Sequence, residues 1–109
     1  MPKRKILVLL TIVGLVAFSL PALADAGPDA AGIYKAKCAM CHGADGAGQT
    51  PTGKAMKVRD LRSPEVQKMS DKDLAAAIRD GKGKMTAFKG KLSEPDIEAL
   101  VGFIRALKK

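Results

Sequence analysis

The chain has 109 residues, with 19 Lys and Arg against 11 Asp and Glu, one histidine and a formal net charge of +8. That size holds one compact domain and excludes a multidomain assembly. The basic balance points to acidic proteins or a membrane surface as partners, and no DNA-binding pattern appears that would add nucleic acid to them.

Met1–Lys5 carries Lys3, Arg4 and Lys5 with no acid, and Ile6–Leu20 is an uncharged run rich in Leu, Val and Ile. Pro21 and the small-residue end Ala22-Leu23-Ala24 follow, and Asp25 comes at once after them. A basic head, an apolar middle and an Ala-x-Ala end make a secretory signal peptide, with cleavage expected after Ala24 and a periplasmic destination. The competing reading is an uncleaved membrane anchor. A membrane helix needs about 20 apolar residues, and the run reaches that length only if extended to Ala24. Cleavage would remove three bases and no acid, leaving residues 25–109, 85 residues with 16 Lys and Arg against 11 Asp and Glu. The remaining domain is still basic, so membrane contact is expected to be transient or made through partners.

The domain reads as all-α: three main helices joined by glycine-rich loops, with no alternating apolar run long enough for a strand. The first helix is expected from about Pro28 to Cys41, with Pro28 at the first helical position. Tyr34, Cys38 and Cys41 then share one face at spacings of four and seven. Gly43–Gly53 is turn chemistry throughout. A short helix is expected near Pro64–Lys68. Ser70, with Asp73 three residues on, caps the next helix, and Gly81 ends it. The last helix begins at Ser93 with Asp96 three on, and Ile97, Leu100, Val101, Ile104 and Leu107 line one face. Lys108 and Lys109 complement its C-terminal dipole.

The whole chain has one Tyr, three Phe and no Trp. So small a domain with so thin an aromatic core needs a staple or a prosthetic group. Cys38-Ala39-Met40-Cys41-His42 supplies the means, because C-x-x-C-H is the pattern for covalent haem attachment. Two thiols one helical turn apart can add to the two vinyl groups on one porphyrin edge. His42, the next residue, can then give an axial nitrogen to iron. Three other readings compete. A thioredoxin-like redox pair wants a βαβ frame. Structural zinc wants four ligands. A plain Cys38–Cys41 disulfide would close almost no loop.

For the second axial ligand, methionine sulfur is the usual donor in electron carriers. Met40 lies inside the motif on the attachment side. Met56 and Met69 read as core fillers. Met85 sits in Gly81-Lys-Gly-Lys-Met85-Thr-Ala-Phe, a flexible segment without apolar periodicity, and is the expected ligand. Leu61, Leu74, Ile78, Phe88, Leu92, Ile97, Leu100 and Ile104 are the expected pocket wall. Lys82, Lys84, Lys89 and Lys91 flank Met85 and are expected to ring the cofactor's exposed edge, steering an acidic redox partner.

These residues together resemble a class I cytochrome c of the small bacterial kind. The resemblance rests on Gly32 and Tyr34, the C-x-x-C-H motif, the glycine-rich loop after it and Ile78-Arg-Asp-Gly81-Lys-Gly-Lys-Met85. The ending Phe88-Lys-Gly90-Lys-Leu92-Ser93 through Asp96-Ile97, Leu100 and Phe103-Ile104 matches too. It implies the cytochrome c fold around one haem c, held by Cys38 and Cys41 with His42 and Met85 on the iron. It also implies a close crossing of the first and last helices at Gly32, against Leu100 and Phe103. A backbone carbonyl near Pro51 would accept from the His42 ring. One position departs: the family commonly has proline after the ligand methionine, and here Thr86 stands. The expected consequence is a looser ligand loop and an easier exchange of Met85 for Lys82, Lys84 or Lys89 at high pH.

The function this implies is a monomeric one-electron carrier, not an enzyme, since no separate catalytic constellation accompanies the motif. A haem enzyme or gas sensor with a labile sixth ligand, or a dedicated electron-transfer subunit of an oxidoreductase, are the alternatives.

Overall fold

The computed structural model describes Gly14 and residues 27–107. Apart from Gly14, the expected export signal lies outside the described residues, as do Lys108 and Lys109. Six helical segments follow in order: α1 (Ala30–Lys37), α2 (Ala39–His42), α3 (Pro51–Met56), α4 (Pro64–Gln67), α5 (Asp71–Asp80) and α6 (Glu94–Ala106). Among the described residues there is no strand, only an isolated bridge between Lys89 and Leu92. No described helix is long and apolar enough to cross a membrane.

Caps set most of the boundaries. Side chains of Asp29, Thr50, Ser63, Ser70 and Ser93 each accept a backbone N–H from the first turn that follows. Ser93 and Asp96 form a reciprocal capping box, satisfying two otherwise unpaired donors at the start of α6. Two sequence expectations change here. Pro28 precedes the cap rather than opening α1, because Asp29 takes the cap position and its carboxylate holds the Gly32 N–H at 3.0 Å. The expected single helix to Cys41 is divided at Cys38. Its N–H still reaches Tyr34 O at 2.8 Å, but its φ of −113° departs from the helical value.

The core is one cluster of Tyr34, Val66, Leu74, Ile78, Ile97, Leu100, Val101 and Ile104. α6 lies at its centre, with α1 and α5 packed against it. Tyr34 and Phe103 meet across α1 and α6 with ring centroids 4.6 Å apart. The expected reason for Gly32 does not hold. The nearest atoms to a Cβ there would be those of the Asp29 carboxyl, not of α6. Glycine at this position makes room for the capping carboxylate. Polar braces complete the frame. Gln67 donates to both Leu61 O and Ile104 O, at 2.8 and 3.0 Å. Arg105 donates to Gln67 O, Met69 O and Asp71. Arg79 grips Glu94 with two bonds of 2.7 and 2.6 Å, fastening α5 to the start of α6.

Leu100 is 1% exposed at the centre of this cluster. Leu100→Ala is expected to lower stability by about 2–5 kcal/mol, measured by denaturant unfolding. A loss well below 1 kcal/mol would mean that α6 is not the centre of the core.

Candidate functional site

Beside the core lies a cavity of about 530 Å³, within the range of small-molecule and cofactor sites. Cys38 and Cys41, His42 and Met85 all line it, each half-buried. The four residues singled out from sequence therefore converge on one space. The two cysteines form no disulfide. Among the described residues no group of three or more His, Cys, Asp or Glu side chains forms a cluster able to hold a metal.

α2 is only four residues long and is held by its surroundings. Three consecutive carbonyls at its end are taken by donors from three other places. Cys41 O accepts from Thr50 Oγ1 at 3.0 Å, His42 O from Gly48 N–H at 2.8 Å, and Gly43 O from the Tyr34 hydroxyl at 2.6 Å. These are the orphan acceptors of a helix C-terminus, satisfied by the chain itself. The Gly43–Gly53 segment, expected to be turns alone, contains the start of α3. Thr50 is its N-cap and Pro51 its first residue, a pairing the sequence displayed.

His42 carries the one unsatisfied buried side-chain polar atom among the described residues, its Nδ1. The expected bond to a carbonyl near Pro51 is absent. The carbonyl beside it, Thr50 O, already accepts from Lys54 N–H at 2.9 Å. Burial pushes the imidazole below its ordinary pKa, favouring the neutral ring that can ligate a metal. Burial likewise pushes the Cys38 thiol up; the Lys37 charge opposes this and Cys41 adds to it.

Met85 is carried by a loop that is better defined than its glycines suggest. The carbonyls left open by the last turn of α5, Ile78 O and Arg79 O, accept from Phe88 and Lys89 N–H at 3.0 and 2.9 Å. Met85 N–H closes a turn on Lys82 O at 3.0 Å. Gly81 has φ +76°, and a Cβ there would lie 2.6 Å from Met85 O. Only glycine allows the loop to fold back and present Met85.

The wall corrects the sequence expectation. Leu61, Leu74 and Phe88 line the cavity as expected, but Ile78, Leu92, Ile97, Leu100 and Ile104 do not. The α6 residues among them are spent on the helix–helix core. Met56, Val58, Val66, Met69 and Ala77 take their place. Met56, Val58 and Met69 come from irregular or junction segments, which show no apolar period to read. Of the lysines expected around the mouth, Lys82 and Lys84 line it while Lys89 and Lys91 do not. Lys37, Lys57 and Arg59 do, and no acidic residue does.

Known proteins resemble this chain as a whole. The family described as "Cytochrome C oxidase, cbb3-type, subunit III" matches residues 25–104. Cytochrome c6 of Nostoc sp. strain PCC 7120 is 37% identical over 88 residues, covering 81% of this chain and 77% of that protein. Among solved structures, the KustC0563 c-type cytochrome superposes with a TM-score of 0.70 at 35% identity, over 74% of this chain and 99% of that one. Cytochrome c6C from Synechococcus sp. PCC 7002 superposes with a TM-score of 0.56 at 30% identity, over 71% and 90%.

The Tyr34 hydroxyl gives the site a pH signature. Burial above all, with the Asp45 charge adding to it, pushes it up to about 12. A raised acid stabilises the fold in its neutral form. That contribution is complete below the ordinary value of about 10 and is lost as pH rises from there through about 12. Tyr34→Phe is expected to lower stability by about 1 kcal/mol at neutral pH and to flatten the alkaline loss, as followed by denaturant unfolding. Parallel alkaline limbs in the two proteins would contradict it.

Proposed function

Since the chain belongs to the class I c-type cytochromes, one-electron carriers with a single covalent haem c, we propose that Cys38 and Cys41 bear its two thioether bonds and that His42 and Met85 are its axial ligands. The carrying observation is the convergence of both thiols, the imidazole and the Met85 thioether on one largely apolar cavity. The residues fit the group. The cavity lies against the packed core, burial favours the neutral imidazole that can ligate a metal, and one buried ring nitrogen of His42 has no partner within the described chain.

The haem supplies reversible one-electron chemistry at iron. The chain supplies the rest. The clamped carbonyls of residues 41–43 hold His42 and both cysteines in place with little freedom to move. Met85 brings a soft thioether, which favours the ferrous state and raises the potential. Leu61, Val66, Leu74 and Phe88 exclude water, so the positive charge of the oxidised centre is disfavoured. Met85 as an iron ligand would occupy the place a substrate would need, which supports a carrier rather than an enzyme. Lys37, Lys57, Arg59, Lys82 and Lys84 around the cavity, with no acid among the lining residues, fit an acidic redox partner. The basic, apolar and Ala-x-Ala order of residues 1–24 supports export to the periplasm with cleavage after Ala24.

Two measurements test the ligand assignment. Met85→Ala is expected to abolish the sulfur-to-iron charge-transfer band of the oxidised protein and to let the reduced protein bind carbon monoxide. If the parent protein binds carbon monoxide just as readily, Met85 is not the ligand and the reading as a sensor or weak peroxidase takes over. In an alkaline titration the same band is expected to disappear as a lysine replaces Met85. Lys82 and Lys84 line the cavity and Lys89 does not, so Lys82→Ala with Lys84→Ala is expected to retain the band to higher pH, while Lys89→Ala behaves as the parent.

A further inference from the structure

Gly53 lies inside α3, where glycine weakens a helix relative to alanine. Its φ is not positive, so the backbone does not call for glycine. Space does. Gly53 is buried, and a Cβ there would lie 2.2 Å from Cys41 O, 2.7 Å from Gly48 O and 2.9 Å from Thr50 Oγ1. The first two are backbone atoms, which cannot swing aside as the end of a flexible side chain can. All three residues belong to the clamp on α2. Cys41 O accepts from Thr50 Oγ1, Gly48 gives its N–H to His42 O, and Thr50 Oγ1 accepts the Gly53 N–H at 2.8 Å. The Gly53 carbonyl in turn accepts the N–H of Val58 at 3.0 Å, and Val58 lines the cavity. A residue without a side chain therefore links the carbonyl of an attachment cysteine to the cavity wall.

We propose that Gly53 is a positioning residue for the iron ligand His42: it lets α3 approach α2 to backbone contact and so fixes where Cys41 and His42 stand at the cavity. This rests on the assignment of Cys41 and His42 and deepens it. A side chain at position 53 has to displace Cys41 O, Gly48 or α3 itself, because overpacking against backbone is relieved by backbone shifts. Cys41 O belongs to the planar peptide unit that joins Cys41 to His42, so the imidazole follows any movement of that carbonyl. Gly102 offers the contrast. It is exposed on α6, and a Cβ there meets nothing within 4 Å. Alanine at that position tests helix propensity alone.

The test uses the exported holoprotein with Gly53→Ala, Gly102→Ala, Thr50→Val and Thr50→Ser. The g-values of the ferric protein are read by electron paramagnetic resonance, together with the reduction potential and the thermal midpoint. Gly102→Ala is expected to keep the parent g-values and potential and to hold or raise the midpoint. Gly53→Ala is expected to lower the midpoint and to shift both the g-values and the potential, because the axial imidazole has moved. Thr50→Val replaces the hydroxyl that holds Cys41 O by a methyl group and is expected to shift the g-values too. Thr50→Ser keeps that bond and restores the parent values. Parent g-values and potential in Gly53→Ala overturn the proposal even where the midpoint falls, because the glycine then serves packing alone. An equal shift in Gly102→Ala overturns it as well. If Gly53→Ala yields no holoprotein, Thr50→Val decides: shifted g-values support the proposal and parent values overturn it. A parent protein whose spectra show no histidine on the iron fails the ligand assignment instead.

Discussion

A helix of four residues cannot hold itself in place, and everything at this site depends on holding one. α2 carries Cys41 and His42 and follows directly on Cys38. An isolated helix of that length has almost no stability of its own. Its rigidity comes from outside, through the acceptors at residues 41–43. Thr50, Gly48 and Tyr34 lie at different distances along the chain, so the attachment motif cannot move without breaking bonds to all of them. Tyr34 adds a further link, because the ring behind its hydroxyl packs on Phe103 of α6. The clamp is thereby fastened to the centre of the core. On the proposed ligation such bracing suits an electron carrier, because ligands that are held in place need little reorganisation between two charge states.

The opposite wall is built on a different principle. Met85 sits in no helix, yet its loop is fixed at both ends by the carbonyls that α5 leaves unpaired. Gly81 makes the return possible, and the Arg79–Glu94 ion pair ties the same helix end to α6. Two unlike devices, a clamped short helix and a pinned glycine loop, face each other across one cavity. The core behind them is made by α1, α5 and α6 with Val66 of α4, and the cavity lies beside it. A chain with so few aromatic residues closes its interior only by accepting a large apolar guest.

The candidate site was easier to read than the architecture, in that all four residues singled out from sequence line one cavity. Cys38, Cys41 and His42 stood out because covalent attachment demands a fixed spacing. Met85 stood out because it had no apolar period to explain it. The capped starts at Ser70 and Ser93 and the stripe of α6 followed from local rules. Less was visible where two distant segments decide the outcome. Nothing local says that the α6 stripe is spent on helix packing and leaves the cavity wall to Met56, Val58, Val66 and Met69. Asp29 outcompeted Pro28 as the marker of a helix start, and its carboxylate explains a glycine that had been assigned to a helix crossing. Thr50-Pro51 was readable as a helix start but was masked by the glycines around it. The left-handed turn at Lys57, φ 54°, had no sequence signal, because neither glycine nor asparagine stands there to announce it.

The central claim is that the cavity's guest is bonded to this chain by its two cysteines, and acid–acetone extraction of the purified, exported protein tests it most directly. The account predicts that the red pigment stays with the precipitated polypeptide, and that changing both Cys38 and Cys41 to serine lets it pass into the organic phase. A colourless protein, or a pigment that leaves the unaltered chain, would contradict it.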